Sequence, residues 1–275
     1  MRRKKTLWLL CMAALCLVLY TIVISRMNRQ VDVVFGGAEG AFISSDSVSF
    51  ADPNSMNTPE PTEDIWPQID ITLNQYSMVR DEKGSLLPSA YKPDVEQIKG
   101  TYMMFDITAI SYLEDLLQAA RDAGFTNVYV AGAYRSYSYQ NELFNGMASK
   151  LAAEMGVSTD YMDPSYQEAV AKARTITLYP GASEHQLGLA VDLMDKRYNS
   201  PFVYSNMDQE FFAWLDTHCA EYGFIKRYPT KKLLLTGWDE PWHYRYVGVE
   251  AATFIMENDL CYEEFYQHYV PDFEF

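Results

Sequence analysis

Cysteine is scarce in this chain, with four in 275 residues. No Cys-x-x-Cys occurs, which argues against a thiolate zinc site. Cys11 and Cys16 lie in an apolar run. Cys219 and Cys261 are then one pair able to close in an oxidising compartment, which is too few for a disulfide framework. Basic charge is also short. Four of the 22 Lys and Arg precede residue 6, leaving 18 against 37 acidic residues, a net charge of −19. That excludes the basic footprint that nucleic-acid binding needs and reads as a solvated acidic surface. There is no internal repeat, and histidine occurs only four times.

One long hydrophobic run is present. "MRRKKTLWLLCMAALCLVLYTIVISR" places four cations before an uncharged stretch from Thr6 to Ser25. At about 1.5 Å per residue this reaches roughly 30 Å, the thickness of a bilayer's hydrocarbon core. The positive-inside rule puts residues 1–5 in the cytoplasm and everything after residue 25 outside. A cleaved signal peptide fits less well, because the run is long and no A-x-A-like site follows closely. Lipoprotein processing fits poorly too, since Cys11 and Cys16 each follow a leucine. The expectation is a single-pass anchor at 6–25 in the cell membrane. Residues 26–65, rich in Gly, Ser, Asn, Pro and acid, read as a flexible tether. An extracytoplasmic domain is expected over 66–275.

Within that domain, "QIDITLN" (68–74) alternates as a strand does. A helix is expected over 111–123, with Ser111 and Glu114 as a capping box and Gly124 as the stop. "NVYVAGAY" reads as a strand ending at Arg135. A second helix fits 138–155, with Leu143, Phe144, Met147, Leu151 and Met155 inward. A third is expected to start at Asp163-Pro164, and a fourth over 208–222. "GFIKRYP", "KLLLTG" and "WHYRYVG" read as strands, and a last helix covers 249–258. The fold class is α+β: a small central antiparallel sheet flanked by helices. The acidic tail from Cys261 has no reading.

"SEHQLGLAVD" (183–192) places Asp192 in an apolar strand, where a buried carboxylate needs a partner. A metal ion is such a partner. Hydrolytic metal chemistry takes three N or O ligands with one position left open, and a free carboxylate nearby to move the proton. His185, Asp192 and His243 offer two imidazoles and a carboxylate. Glu240, three residues before His243, offers the base. Pro241 pushes Glu240 away from helical geometry, so this is no helical His–Glu pair. Arg135 offers a cation for a developing oxyanion or a substrate carboxylate. Taken singly, each of these has an ordinary structural reading, and the spacing alone leaves both open. His218, in an amphipathic helix, and His268, in the tail, read as structural.

The segments "YRSYSYQ", "PGASEHQLGLAVDL", "YGFIKRYP" and "TGWDEPWHYRYVG", with "LLPSAYKPD" before them, closely resemble the zinc-dependent D-alanyl-D-alanine carboxypeptidases of the vancomycin-resistance VanY type. The resemblance covers about residues 66–260. It implies one zinc ion on His185, Asp192 and His243, with Glu240 as catalytic base and Arg135 stabilising the tetrahedral intermediate. It places Ser183 and Gln140 along the substrate pocket. The implied activity is removal of the terminal D-alanine from peptidoglycan stem peptides. Ala182, after the glycine of "PG", stands where a polar residue is expected, at a position that is no ligand.

Two other functions compete. A peptidoglycan cross-link endopeptidase would use the same zinc site with a more open groove. A zinc-stabilised module that binds wall peptides without cutting them would keep the metal and lose the base, and the joint presence of Glu240 and Arg135 argues against it.

Overall fold

The computed structural model describes residues 66–69, 71, 79, 86–195 and 209–272. The expected anchor and tether lie outside them. Among the described residues no helix is long and apolar enough to cross a membrane. The strand expected over 68–74 also falls mostly outside, and its described members are not in a strand.

Two short strands, β1 (Val95–Gln97) and β2 (Met104–Asp106), form an antiparallel pair. Helix α1 (Ile110–Asp122) follows, burying Ile110, Leu113, Leu116, Leu117 and Ala120. This is the apolar stripe of a 3.6-residue period, and each of its isoleucine and leucine side chains contributes about 1.5–3 kcal/mol by leaving water. The capping box expected at Ser111 does not form. The helix starts one residue before Ser111, with Ala109 as cap and no side-chain cap bond. Ser111 is therefore already in the helical first turn, and Glu114 turns away to accept from the Lys99 backbone and ammonium.

Strand β3 (Tyr129–Gly132) leads into α2 (Tyr137–Met155). Ser136 caps α2, accepting from the Tyr139 amide at 3.2 Å. Phe144 and Leu151 are buried as expected, whereas Met155, at the end of the helix, is exposed. Asp163 is not the cap of the third helix. Its Oδ1 accepts from the Ser165 amide and hydroxyl, making a turn. Helix α3 (Tyr166–Arg174) starts three residues later and packs on α2 around Phe144, Ala148, Ala169 and Ala173.

The main sheet has four antiparallel strands in the order β3-β4-β6-β5: β3, then β4 (Ala190–Met194), β6 (His243–Tyr246) and β5 (Phe224–Lys226). Helix α4 (Gln209–His218) precedes β5, joined by a 3-10 turn that ends on Gly223 at φ 78°. One face of the sheet packs on α1 and α4 through Val191, Leu193 and Tyr244.

"KLLLTG" is not a strand. It forms a helical turn, α5 (Leu233–Thr236), closed by Gly237 at φ 74°. Strands β5 and β6 already bond directly to each other, so the sheet offers this segment no slot between them. Its leucines instead stand 44%, 90% and 44% exposed.

The tail proves structural. Helix α6 (Val249–Glu257) is followed by α7 (Tyr262–Tyr269). Tyr262 and Phe265 of α7 join a core with Ile69, Ile225, Val247, Ala251, Ala252 and Ile255. Trp66 stacks on His268 with ring centroids 3.8 Å apart. His218 stacks on Trp214, so both peripheral histidines are structural, as expected. Cys219 and Cys261, which the sequence left open as a possible pair, are buried free thiols. Each side chain sits in packed surroundings, where burial holds the thiol protonated.

Candidate metal centre

The sheet register assembles the site. Asp192 pairs with Gly132 on one side and with His243 on the other. A strand presents directly opposed residues on the same face, so two of the candidate ligands meet across the β4–β6 ladder. His185 arrives from the 3-10 turn Glu184–Leu187. Gly188, at φ 77°, then turns the chain into β4. A side chain there would press on Val95 and the Asp106 amide.

His185 Nδ1 lies 2.8 Å from the Ala133 carbonyl oxygen. That oxygen can only accept, so Nδ1 carries the proton and Nε2 keeps its lone pair. Nε2 sits 3.3 Å from Asp192 Oδ2. His243 Nδ1 sits 3.3 Å from Asp192 Oδ1. One ligand atom from each of His185, Asp192 and His243 falls within 4.8 Å of the others. The imidazoles stand edge-on, with centroids 4.9 Å apart. All three side chains are buried, and His185 Nε2 and Asp192 Oδ1 have no hydrogen-bond partner.

Orphaned buried atoms of this kind are costly unless something pairs with them. Zinc bonds of roughly 2.1 Å at tetrahedral angles place neighbouring ligand atoms about 3.4 Å apart. Each imidazole meets one of the two Asp192 oxygens at 3.3 Å, close to that spacing, and one ligand atom from each residue lies within 4.8 Å of the others. Two imidazole nitrogens and one carboxylate oxygen therefore fit a zinc ion with a fourth position open.

Glu240 Oε2 lies 3.6 Å from His243 Nδ1. Burial raises the Glu240 pKa, and His243 and Arg135 only partly offset this. A carboxylate raised in this way is better matched to moving protons near neutral pH. Arg135 leaves the end of β3, and its amide donates to the His185 carbonyl at 3.0 Å. Its Nε is buried without a partner. Burial and the Arg135 charge hold His185 down to about 4, so it is neutral at pH 7. His243 goes the other way. Burial opposes protonation, but Asp192 and Glu184 outweigh it and lift His243 to about 9 in the absence of metal.

Ser183 and Gln140 are both buried. The Ser183 hydroxyl has no partner, and neither does Gln140 Oε1. Gln140 Nε2 donates to the Leu178 carbonyl at 2.7 Å, tying α2 to the loop that leads to Ser183.

Sequence reading passed over Glu184, which lies between two residues it singled out. Glu184 is 1% exposed. Its Oε1 accepts from Arg227 Nε at 2.8 Å and faces Arg245 Nη1 at 3.0 Å. The only signal in the sequence is Arg245 between Tyr244 and Tyr246 in "WHYRYVG", where an ion needs a counter-ion.

The sheet and this cluster form a candidate metal centre with the Glu240 carboxylate beside it. The chain belongs to the VanY D-alanyl-D-alanine carboxypeptidase family, whose profile matches residues 103–249. A D-alanyl-D-alanine carboxypeptidase of Enterococcus faecalis is 38% identical over 192 residues, 70% of this chain and 66% of that protein. The chain thus spans just under two thirds of that relative's length. A mutant of the vancomycin resistance D,D-pentapeptidase VanY, from a VanB-type resistance cassette and in complex with Zn(II), superposes with a TM-score of 0.56. It is 36% identical, over 70% of this chain and 99% of that one. VanYB in complex with D-alanine-D-alanine also gives 0.56, at 34% identity over 73% of this chain and 99% of that one.

Proposed function

We propose that this protein is a membrane-anchored, zinc-dependent D-alanyl-D-alanine carboxypeptidase that removes the terminal D-alanine from peptidoglycan stem peptides. The observation that carries the reading is the convergence of His185, Asp192 and His243 at zinc spacing with Glu240 3.6 Å from His243. The bound relatives support it, one with Zn(II) and one with D-alanine-D-alanine. The membrane part rests on the apolar run 6–25 with its flanking cations. It places the N-terminus in the cytoplasm and the catalytic domain outside. A tether of about 40 residues reaches on the order of 35 Å as a coil, far enough for wall material close to the membrane.

In this reading His185, Asp192 and His243 hold the zinc ion. When bound, the ion lowers the pKa of water towards ~7 and polarises the scissile carbonyl. Glu240 takes the proton of the attacking water and hands it to the departing D-alanine amine. Arg135 faces the charge that develops on the carbonyl oxygen, or the substrate carboxylate. The Ser183 hydroxyl and the Gln140 carbonyl line the pocket as polar contacts.

The test is release of D-alanine from a muramyl pentapeptide by the zinc-loaded full-length chain, read by mass spectrometry. Release from the pentapeptide supports the assignment. Cleavage of cross-linked muropeptides with an untouched pentapeptide would make the protein an endopeptidase. Stoichiometric zinc with no cleavage of either would make it a binding module.

A further inference from the structure

The buried charges behind His243 are not used by this chemistry, yet they touch it. Glu184 Oε2 stands 3.6 Å from His243 Nε2, on the opposite side of the imidazole from Asp192 and Glu240, which face Nδ1. The ring is therefore bracketed: Nδ1 points to the ligand cluster and Nε2 to a carboxylate. At 3.6 Å the Nε2 contact is an ion-pair distance, and a closure of a few tenths of an ångström makes it a hydrogen bond.

The same carboxylate is fixed by two guanidiniums, Arg227 on one side and Arg245 on the other. Arg227 is gripped in turn by Glu263 of α7, through Nη1 to Oε2 at 2.9 Å and Nη2 to Oε1 at 2.7 Å. Glu184, Arg227, Arg245 and Glu263 are all buried, and together they are neutral. Glu263 lies beyond residue 249, where the family match ends.

A buried ion-pair array of this kind is weak evidence for stability, because desolvation offsets its attraction. Fixed geometry is what it provides. A histidine that ligates through one nitrogen needs an acceptor at the other to hold its tautomer and its plane.

We propose that Glu184 is a positioning residue for His243, locked in place from the C-terminal helix α7 through Glu263 and Arg227. The inference rests on the metal-centre reading above. In this arrangement Glu184 accepts the Nε2 proton of His243 and keeps Nδ1 aimed at the ion. Helix α7 belongs to the support of the centre and is not a dispensable tail.

The test uses the full-length chain, stripped of metal, with Glu184→Gln, Glu263→Gln and the double substitution. Zinc affinity is read by chelator competition, ligand geometry by the visible absorption of the Co(II)-substituted protein, and folding by melting of the metal-free chain. Glu184→Gln is expected to weaken zinc about 10–100-fold, to change the Co(II) spectrum, and to lower kcat more than it raises KM. Glu263→Gln is expected to act in the same direction more weakly. The double variant is expected to bind zinc no worse than Glu184→Gln alone, because Glu263 acts through Glu184.

Unchanged zinc affinity and Co(II) spectrum in both single variants, with only the melting temperature lowered, would overturn the proposal and leave the array a structural one. If Glu184→Gln fails to fold, Glu263→Gln decides by the same readouts. A native chain that takes up no stoichiometric Zn(II) or Co(II) would refute the metal-centre reading itself, an outcome separate from failure in the variants alone.

Discussion

Gly132 lies across the β3–β4 ladder from Asp192, and the Asp192 carboxylate occupies the space where a Cβ on Gly132 would stand. The ladder slips by one residue between Val130 and Gly132, which brings the glycine to that position. Gly132 carries no positive φ, so alanine there meets no backbone objection, only the carboxylate. Gly132→Ala is expected to displace Asp192 and weaken zinc binding at least tenfold. Chelator competition would show it. Wild-type affinity in this variant would mean that Asp192 is not a ligand.

The charge of Arg135 bears on both His185 and Glu240. Arg135→Ala is expected to lower kcat about 10²–10³-fold, the usual loss when a group that stabilises an oxyanion is removed. Zinc stoichiometry should stay at one. Steady-state kinetics on the pentapeptide check this, and a change confined to KM would assign Arg135 to substrate carboxylate binding instead.

Cys219 and Cys261 stay unpaired and inert in the folded protein. Burial pushes the Cys219 thiol up to about 12 and that of Cys261 upward too. Raising an acid's pKa starves the reactive thiolate at any pH below it. At pH 8 neither residue should take up iodoacetamide in the native chain, and both should do so in denaturant. Peptide mass spectrometry of residues 219 and 261 reads the outcome.

Gly223 closes the turn before β5 at φ 78°, against the Tyr246 ring and the backbone of Gly248 and Val249. Gly223→Ala meets both strain and a clash, so a loss of about 1–3 kcal/mol is expected. Thermal melting of the metal-free chain would show it.

The site was more legible in the sequence than the fold around it. His185 and Asp192 are joined by a short turn and the start of a strand, and Glu240 stands three residues before His243, so local sequence fixes the spacing within each pair. Cross-strand register then carries the rest, because Asp192 opposes His243 directly. The leucines of 233–235 misled for a physical reason: three consecutive apolar residues look like a buried strand, but here they form a helical turn closed by Gly237 and stay exposed. Ser111 misled because the capping pattern sits two residues past Ala109, which caps the helix. Glu184 and the whole of α7 were illegible because their meaning is long-range. Nothing near Glu263 in the chain signals that its carboxylate grips Arg227.

The central claim is that one metal ion on His185, Asp192 and His243 works with Glu240 as base. The most direct measurement strips the full-length chain with chelator, titrates zinc back, and follows D-alanine release from a muramyl pentapeptide beside a Glu240→Gln control. The prediction is that activity returns in full at one equivalent of zinc, while Glu240→Gln binds the same equivalent and loses at least a thousandfold in kcat. Full turnover by Glu240→Gln, or full activity in the stripped chain, would contradict it.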